Sequence, residues 1–74
     1  MKEKILEILN NIRPEVDFKN SDNFIDDGFL DSFDMVSLVS NIEKKFNISI
    51  AGEDIIPENF ENIPSIISMI KKYK

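Results

Sequence analysis

The chain has 74 residues, with no cysteine, histidine or tryptophan, and its 14 acidic and 9 basic side chains give a formal net charge of −5. At that length one domain spanning residues 1–74 is expected, with a thin stability margin, because so small a domain buries only about 60% of its unfolded surface. Without Cys or His there is no disulfide framework, no thiolate or imidazole metal site and no Ser–His catalysis, and the acidic balance argues against nucleic acid or an anionic membrane as partner.

The first segment with helical spacing runs from Lys2 to Ile12, where Ile5, Ile8, Leu9 and Ile12 recur at i, i+3, i+4 and i+7, and Pro14 stops it. Glu7 interrupts the apolar run from Ile5 to Leu9, so no signal-peptide core is expected there. No apolar run reaches the ~20 residues of a membrane span, and the cytoplasm is the expected location. A long connection from Pro14 to Asp31 follows. Phe18, Phe24, Ile25, Phe29 and Leu30 can pin it to a core, so it is expected to be structured by its own side chains.

A second helix is expected from near Ser32 to near Phe46, with Met35, Leu38, Val39, Ile42 and Phe46 on its apolar stripe. Phe46 to Ile50 alternates with period two, but no partner strand is in sight, and it reads as a short extended link. Pro57-Glu58-Asn59-Phe60 reads as one short helical turn with Pro at its first position. The last helix runs from about Ile63 to Tyr73, capped by Asn62, with Ile63, Ile66, Ile67 and Ile70 inward. Ile55, Ile56 and Phe60 are expected to close the bundle. Lys71, Lys72 and Lys74 read as solvated charges that suit a helix C-terminus.

Twelve of the acids lie between residues 15 and 61, where only Lys19, Lys44 and Lys45 oppose them. Within that acidic middle, Asp26-Asp27-Gly28-Phe29-Leu30-Asp31-Ser32-Phe33-Asp34-Met35-Val36-Ser37-Leu38 places a glycine ahead of an Asp-Ser pair at a helix start. Free backbone N–H groups and a partial positive charge gather at such a terminus, so a phosphodiester carried by Ser32 is stabilised there. A chain this short has no room for a substrate cleft with convergent groups, and no enzymatic activity is expected of it.

These residues resemble the acyl carrier protein superfamily. Asp31-Ser32-Phe33-Asp34-Met35-Val36-Ser37-Leu38 is close to the fatty-acid carrier pattern Asp-Ser-Leu-Asp-x-Val-x-Leu. Asp27-Gly28-Phe29-Leu30 is similar to the family's approach to its serine. Phe46, Ile48 and Ile50 resemble the end of its second helix and the following link. Pro57-Glu58-Asn59-Phe60-Glu61-Asn62-Ile63 resembles its short third helix and the start of its fourth, in a form closer to peptide, polyketide and aminoacyl carriers. The resemblance covers nearly the whole chain. It implies an all-α four-helix bundle with a long first loop and a short third helix.

The resemblance further implies 4′-phosphopantetheine covalently attached to Ser32, flanked by Asp31. A phosphopantetheinyl transferase would move the group from coenzyme A with Mg²⁺, and acyl cargo would ride on the arm as a thioester. The other partners implied are an acyl- or aminoacyl-loading ligase and a downstream transferase or synthase. Docking is expected on the second helix through Phe33, Asp34, Val36 and Glu43, against basic partner surfaces, by a monomer. Phe33 stands where Leu or Met is usual. Ser37, Ser40, Asn41, Lys44 and Lys45 stand where fatty-acid carriers are often acidic or apolar, which favours a specialised carrier with dedicated partners.

Plainer readings stand beside these. Ser32 alone at a helix start is more often a cap than a modification site, but Asp31 can cap in its place, with Asp34 in a near capping-box position. A calcium loop counted from Asn23 fails, since Ile25 falls at its third position and Asp34 at its twelfth, where Glu is required. No metal site is expected. A peptidyl or aminoacyl carrier is the alternative within the class, and a non-covalent acidic helical adaptor is the alternative outside it.

Overall fold

Ile5, Ile8 and Leu9 are buried together, which the three- and four-residue spacing of an α-helix makes possible. Helix α1 spans Lys2–Ile12, helix α2 Ser32–Phe46 and helix α3 Ile63–Lys71 in the computed structural model, which describes residues 1–73. Single 3₁₀ turns lie at Phe18–Asn20, Gly52–Asp54 and Pro57–Asn59, and no strand occurs among the described residues. The expected all-α class holds. The expected count of four helices does not: Pro57–Asn59 is one 3₁₀ turn. Pro57 lacks an N–H, and the chain leaves helical geometry at Phe60 (φ −123°, ψ 15°) and is fully extended by Asn62, leaving no room for an α-helical nucleus.

Helix α1 packs on both α2 and α3. It runs antiparallel to α2, since Arg13 at its end meets Asp34 in the first turn of α2, and Glu7 at its middle meets Lys45 in the last turn. The backbone leaves helical geometry at Arg13 (φ −135°, ψ 78°), since a following proline disfavours the α region there. Helix α2 ends on Asn47 in the left-handed conformation (φ 55°, ψ 52°), which asparagine tolerates better than most residues. Helix α3 begins where Asn62 Oδ1 accepts the Ser65 N–H at 2.8 Å. Its buried face is Ile63, Ile66, Met69 and Ile70. Met69 takes the core place expected of Ile67, which is half-buried.

The connection from Arg13 to Asp31 folds onto the core through its aromatic residues. Phe18 packs edge-on against Phe24 at 5.0 Å between ring centroids and against Phe29 at 6.1 Å. Phe18, Phe24 and Leu30 are buried, and Ile25 and Phe29 are half-buried against them. The Phe24 backbone is tied at both ends: its N–H donates to Glu61 O, and its carbonyl accepts from the N–H groups of Phe29 and Leu30. Asn23 Oδ1 accepts from the N–H groups of Ile25 and Asp26, and Gly28 turns the chain with φ +75°.

The second connection is extended after Asn47 and is held by side chains of the helices on either side. Glu43 Oε2 accepts the Ile50 N–H at 2.9 Å. Tyr73 Oη accepts the Ala51 N–H at 3.0 Å and donates to Asp54, and Lys72 Nζ lies 2.8 Å from the same carboxylate. Lys72 is thus ion-paired, where a solvated charge was expected. Lys74 lies outside the described residues. Phe60 is buried and Ile55 half-buried against the core, while Ile56 is 40% exposed.

Candidate functional site

Ser32 is the first residue of α2, one position after a cap that its own hydroxyl does not supply. Asp31 Oδ1 accepts the Asp34 N–H at 2.9 Å, and Asp34 Oδ2 accepts the Asp31 N–H at 3.2 Å. This reciprocal box satisfies two donors at the start of the helix. The Ser32 side chain is exposed and has no hydrogen-bond partner among the described residues. The first-turn amides of Ser32 and Phe33 precede the first intrahelical bond and open toward solvent, as in any α-helix. A hydroxyl without structural duty, beside free N–H donors and a favourable dipole, fits a phosphodiester linked at this atom.

Arg13 holds this terminus in place. Its Nε donates to Asp34 Oδ2 at 2.9 Å, its Nη2 lies 2.8 Å from the same oxygen, and Asp31 Oδ2 is 3.6 Å away. The fork thus engages one carboxylate oxygen through two nitrogens and bridges the end of α1 to the start of α2. Partial burial pushes the Asp34 carboxyl upward, but the Arg13 hydrogen bond, the Asp31 N–H and the Arg13 charge outweigh it, and the group sits below its ordinary 3.8. The sequence reading passed over Arg13. Its signal was its singularity: it is the one arginine in a chain whose other cations are lysines, placed where α1 ends.

The remaining sequence-predicted residues divide in two. Phe33 is 85% exposed and Val36 66% exposed, one helical turn apart beside Ser32. Asp34 and Glu43 are turned toward their own fold, Asp34 onto Arg13 and Asp31, Glu43 onto the Ile50 N–H. Asp26 and Asp27 do not join the Ser32 cluster, and Asp27 accepts from Ser21 Oγ at 2.5 Å. No group of three or more Asp or Glu among the described residues is arranged to hold a metal ion. A cleft of about 520 Å³ opens between α1, the Phe18–Asn20 turn and the start of α3. None of Ser32, Ile55 and Ile56 contributes to its walls.

Comparison with known proteins bears on this geometry. The family model described as the phosphopantetheine attachment site matches residues 1–71. The acyl carrier protein of Wolinella succinogenes is 35% identical over the whole chain and 92% of its own length. The D-alanyl carrier protein of Leuconostoc citreum is 31% identical over 96% of the chain and 92% of its own length. The D-alanyl carrier protein of Leuconostoc mesenteroides subsp. mesenteroides is 45% identical over a shorter stretch, 65% of the chain and 63% of its own length. No solved structure matches at a comparable level of significance.

Proposed function

The chain belongs to the phosphopantetheine-attachment family and is a carrier rather than an enzyme, and from that premise we propose that Ser32 is its attachment residue. Members of the family bear 4′-phosphopantetheine covalently, and the group supplies a terminal thiol on which cargo is held as a thioester. Supporting this assignment is one observation above the others: the Ser32 hydroxyl is exposed at a helix start whose capping is done by Asp31 and Asp34. In our reading Ser32 supplies the oxygen of the link. Both neighbouring carboxylates are engaged by backbone N–H groups, so a phosphopantetheinyl transferase must provide the base that takes the hydroxyl proton.

The protein then presents acyl intermediates to a loading ligase and to a downstream transferase or synthase. It does so as a single domain of residues 1–74, monomeric and in the cytoplasm. No helix among the described residues is long and apolar enough to cross a membrane. The contact surface is the start of α2, with Phe33 and Val36 exposed. Asp34 and Glu43 act there by holding α2 and the following link in place. Tethering raises the effective concentration of cargo at each partner without releasing it. A second reading within the class, an aminoacyl carrier, is favoured by the two D-alanyl carrier relatives.

The test is intact mass spectrometry after incubation with coenzyme A, Mg²⁺ and a broad-specificity phosphopantetheinyl transferase, with Ser32→Ala alongside. One added phosphopantetheine, absent from the variant, is the expected result. No addition to folded protein, while a control carrier is modified in parallel, would leave the non-covalent acidic adaptor as the reading. Loading the modified protein with an acyl-activating enzyme or with a D-alanine-activating ligase then separates the two cargoes.

A further inference from the structure

The outward face of α2 has a chemistry that the net charge of the chain conceals. Phe33, Val36, Ser37, Ser40 and Lys44 stand at i, i+3, i+4, i+7 and i+11, so one strip of the helix surface carries all five, and all five are exposed. The strip lies opposite the buried Leu38, Val39, Ile42 and Phe46. It contains no carboxylate. The two acids of α2 flank it and are taken up within the fold, Asp34 by Arg13 and Glu43 by the Ile50 N–H. Lys45 is drawn aside to Glu7 at 2.9 Å, whereas Lys44 has no ion-pair partner among the described residues. The exposed acids lie off the strip, at Glu3 and Glu7 of α1, at Asp31 just before α2, and on the connections at Glu15, Asp17, Asp22, Asp26, Asp27, Glu53 and Glu58.

An enzyme that acts on Ser32 Oγ has to approach the first turn of α2 and dehydrate Phe33, its immediate neighbour. Resting on the carrier reading above, we infer that the transferase that modifies Ser32 seats Phe33 and Val36 in an apolar recess and sets an acidic group against Lys44. The net charge of −5 suggested a basic partner; the strip calls for one that is apolar at one end and acidic at the other. Such docking depends on two desolvated apolar anchors and one rim charge. It is therefore only modestly weakened by salt, unlike an array of carboxylates facing cations.

The experiment measures kcat/KM for modification of Ser32 by the phosphopantetheinyl transferase of the same organism, with coenzyme A and Mg²⁺, at low and at high NaCl. Phe33→Ser and Val36→Ser should each lower kcat/KM by about tenfold, chiefly through KM, as loss of a buried anchor does. Lys44→Glu should lower it severalfold, and the Asp26→Asn/Asp27→Asn variant should leave it within about twofold. These residues are exposed, so circular dichroism is expected to show unaltered folding. A Lys44→Glu variant modified as fast as the parent or faster, a steep loss of rate with salt, or a loss in the Asp26→Asn/Asp27→Asn variant equal to that of Lys44→Glu would each overturn the inference. In all three cases Ser32 is still modified and the carrier reading stands. Failure of that reading shows differently, as no modification by either this transferase or a broad-specificity one.

Discussion

The guanidinium of Arg13 lies 2.8 Å from the Asp34 carboxylate and joins the last residue before Pro14 to the first turn of α2. Through this contact the end of α1 fixes the position of Ser32, although Arg13 does not touch it. Replacing Arg13 by Ala should lower the melting temperature and let the Asp34 carboxyl rise from below 3.8, because burial then acts without the opposing cation. Arg13→Lys should recover only part of both effects, since an ammonium restores the charge but not the planar fork. Thermal melts and carboxyl titration by NMR read the two quantities. Equal behaviour of the Lys variant and the parent would show that charge alone suffices.

Capping and attachment are assigned to different side chains, which makes them separable by mutation. Ser32→Ala should leave stability within about 0.5 kcal/mol, because the hydroxyl has no partner to lose. Asp31→Ala removes the acceptor for the Asp34 N–H and should cost about 1 kcal/mol. Urea unfolding of the two variants checks this. A destabilisation of Ser32→Ala as large as that of Asp31→Ala would show that the serine caps the helix after all.

How far the sequence revealed this arrangement depends on the range of the interaction. The bounds of α1 and α2 were legible because local signals set them: apolar residues at helical spacing, Pro14 after one helix and Asp31 before the other. Helical phase put Phe33 and Val36 on the flank of the apolar stripe, which left partial exposure and packing against a loop equally open; the structure exposes them at 85% and 66%. The fate of Asp34 and Glu43 did not follow from phase either, because both lie on the flanks of α2, where phase leaves inward and outward equally open. Their partners, Arg13 for the one and the Ile50 N–H for the other, are set by how the helices pack. Met69 is buried where Ile67 was expected, for a related reason: the isoleucine spacing alone does not fix the rotation of α3 about its axis.

Phe24 joins the long connection to the rest of the core. It is fully buried, meets Phe18 edge-on, and its backbone bonds to Glu61 as well as to Phe29 and Leu30. Phe24→Ala should cost about 3–5 kcal/mol, from lost burial and the cavity left behind. A domain of this size has a total stability of about 4–11 kcal/mol, so the loss takes between about a quarter and all of it, and the melting temperature of that variant should fall well below the parent's. Phe24→Leu keeps most of the volume and should remain folded with a reduced melting temperature. Chemical denaturation of both variants gives the two values, and a loss below about 1 kcal/mol for the Ala variant would show that the loop is not anchored there.

The Asp54–Tyr73 contact makes stability fall at both ends of the pH scale. Hydrogen bonds from Lys72 and then Tyr73 hold the Asp54 carboxyl below its ordinary 3.8. The unfolded chain therefore takes up this proton more readily than the native state. The contribution is complete above the ordinary carboxylate range and is lost as pH falls through the lower native value. Asp34 adds to the same acid limb. Tyr73 behaves in the opposite sense. Its hydrogen bond to Asp54 raises the phenol above 10.0, so its contribution is complete below pH 10 and is lost as pH rises through the native value. The melting temperature should accordingly be nearly flat from about pH 5 to about pH 9 and drop on either side. Lys72, whose ammonium is also raised by its hydrogen bond to Asp54, adds to the alkaline limb in the same sense, so Tyr73→Phe should shrink that limb without abolishing it and leave the part of the acid limb due to Lys72 and Asp34. Asp54→Asn should shrink both limbs, and an alkaline limb unchanged by it would show that Tyr73 draws its stability from another partner.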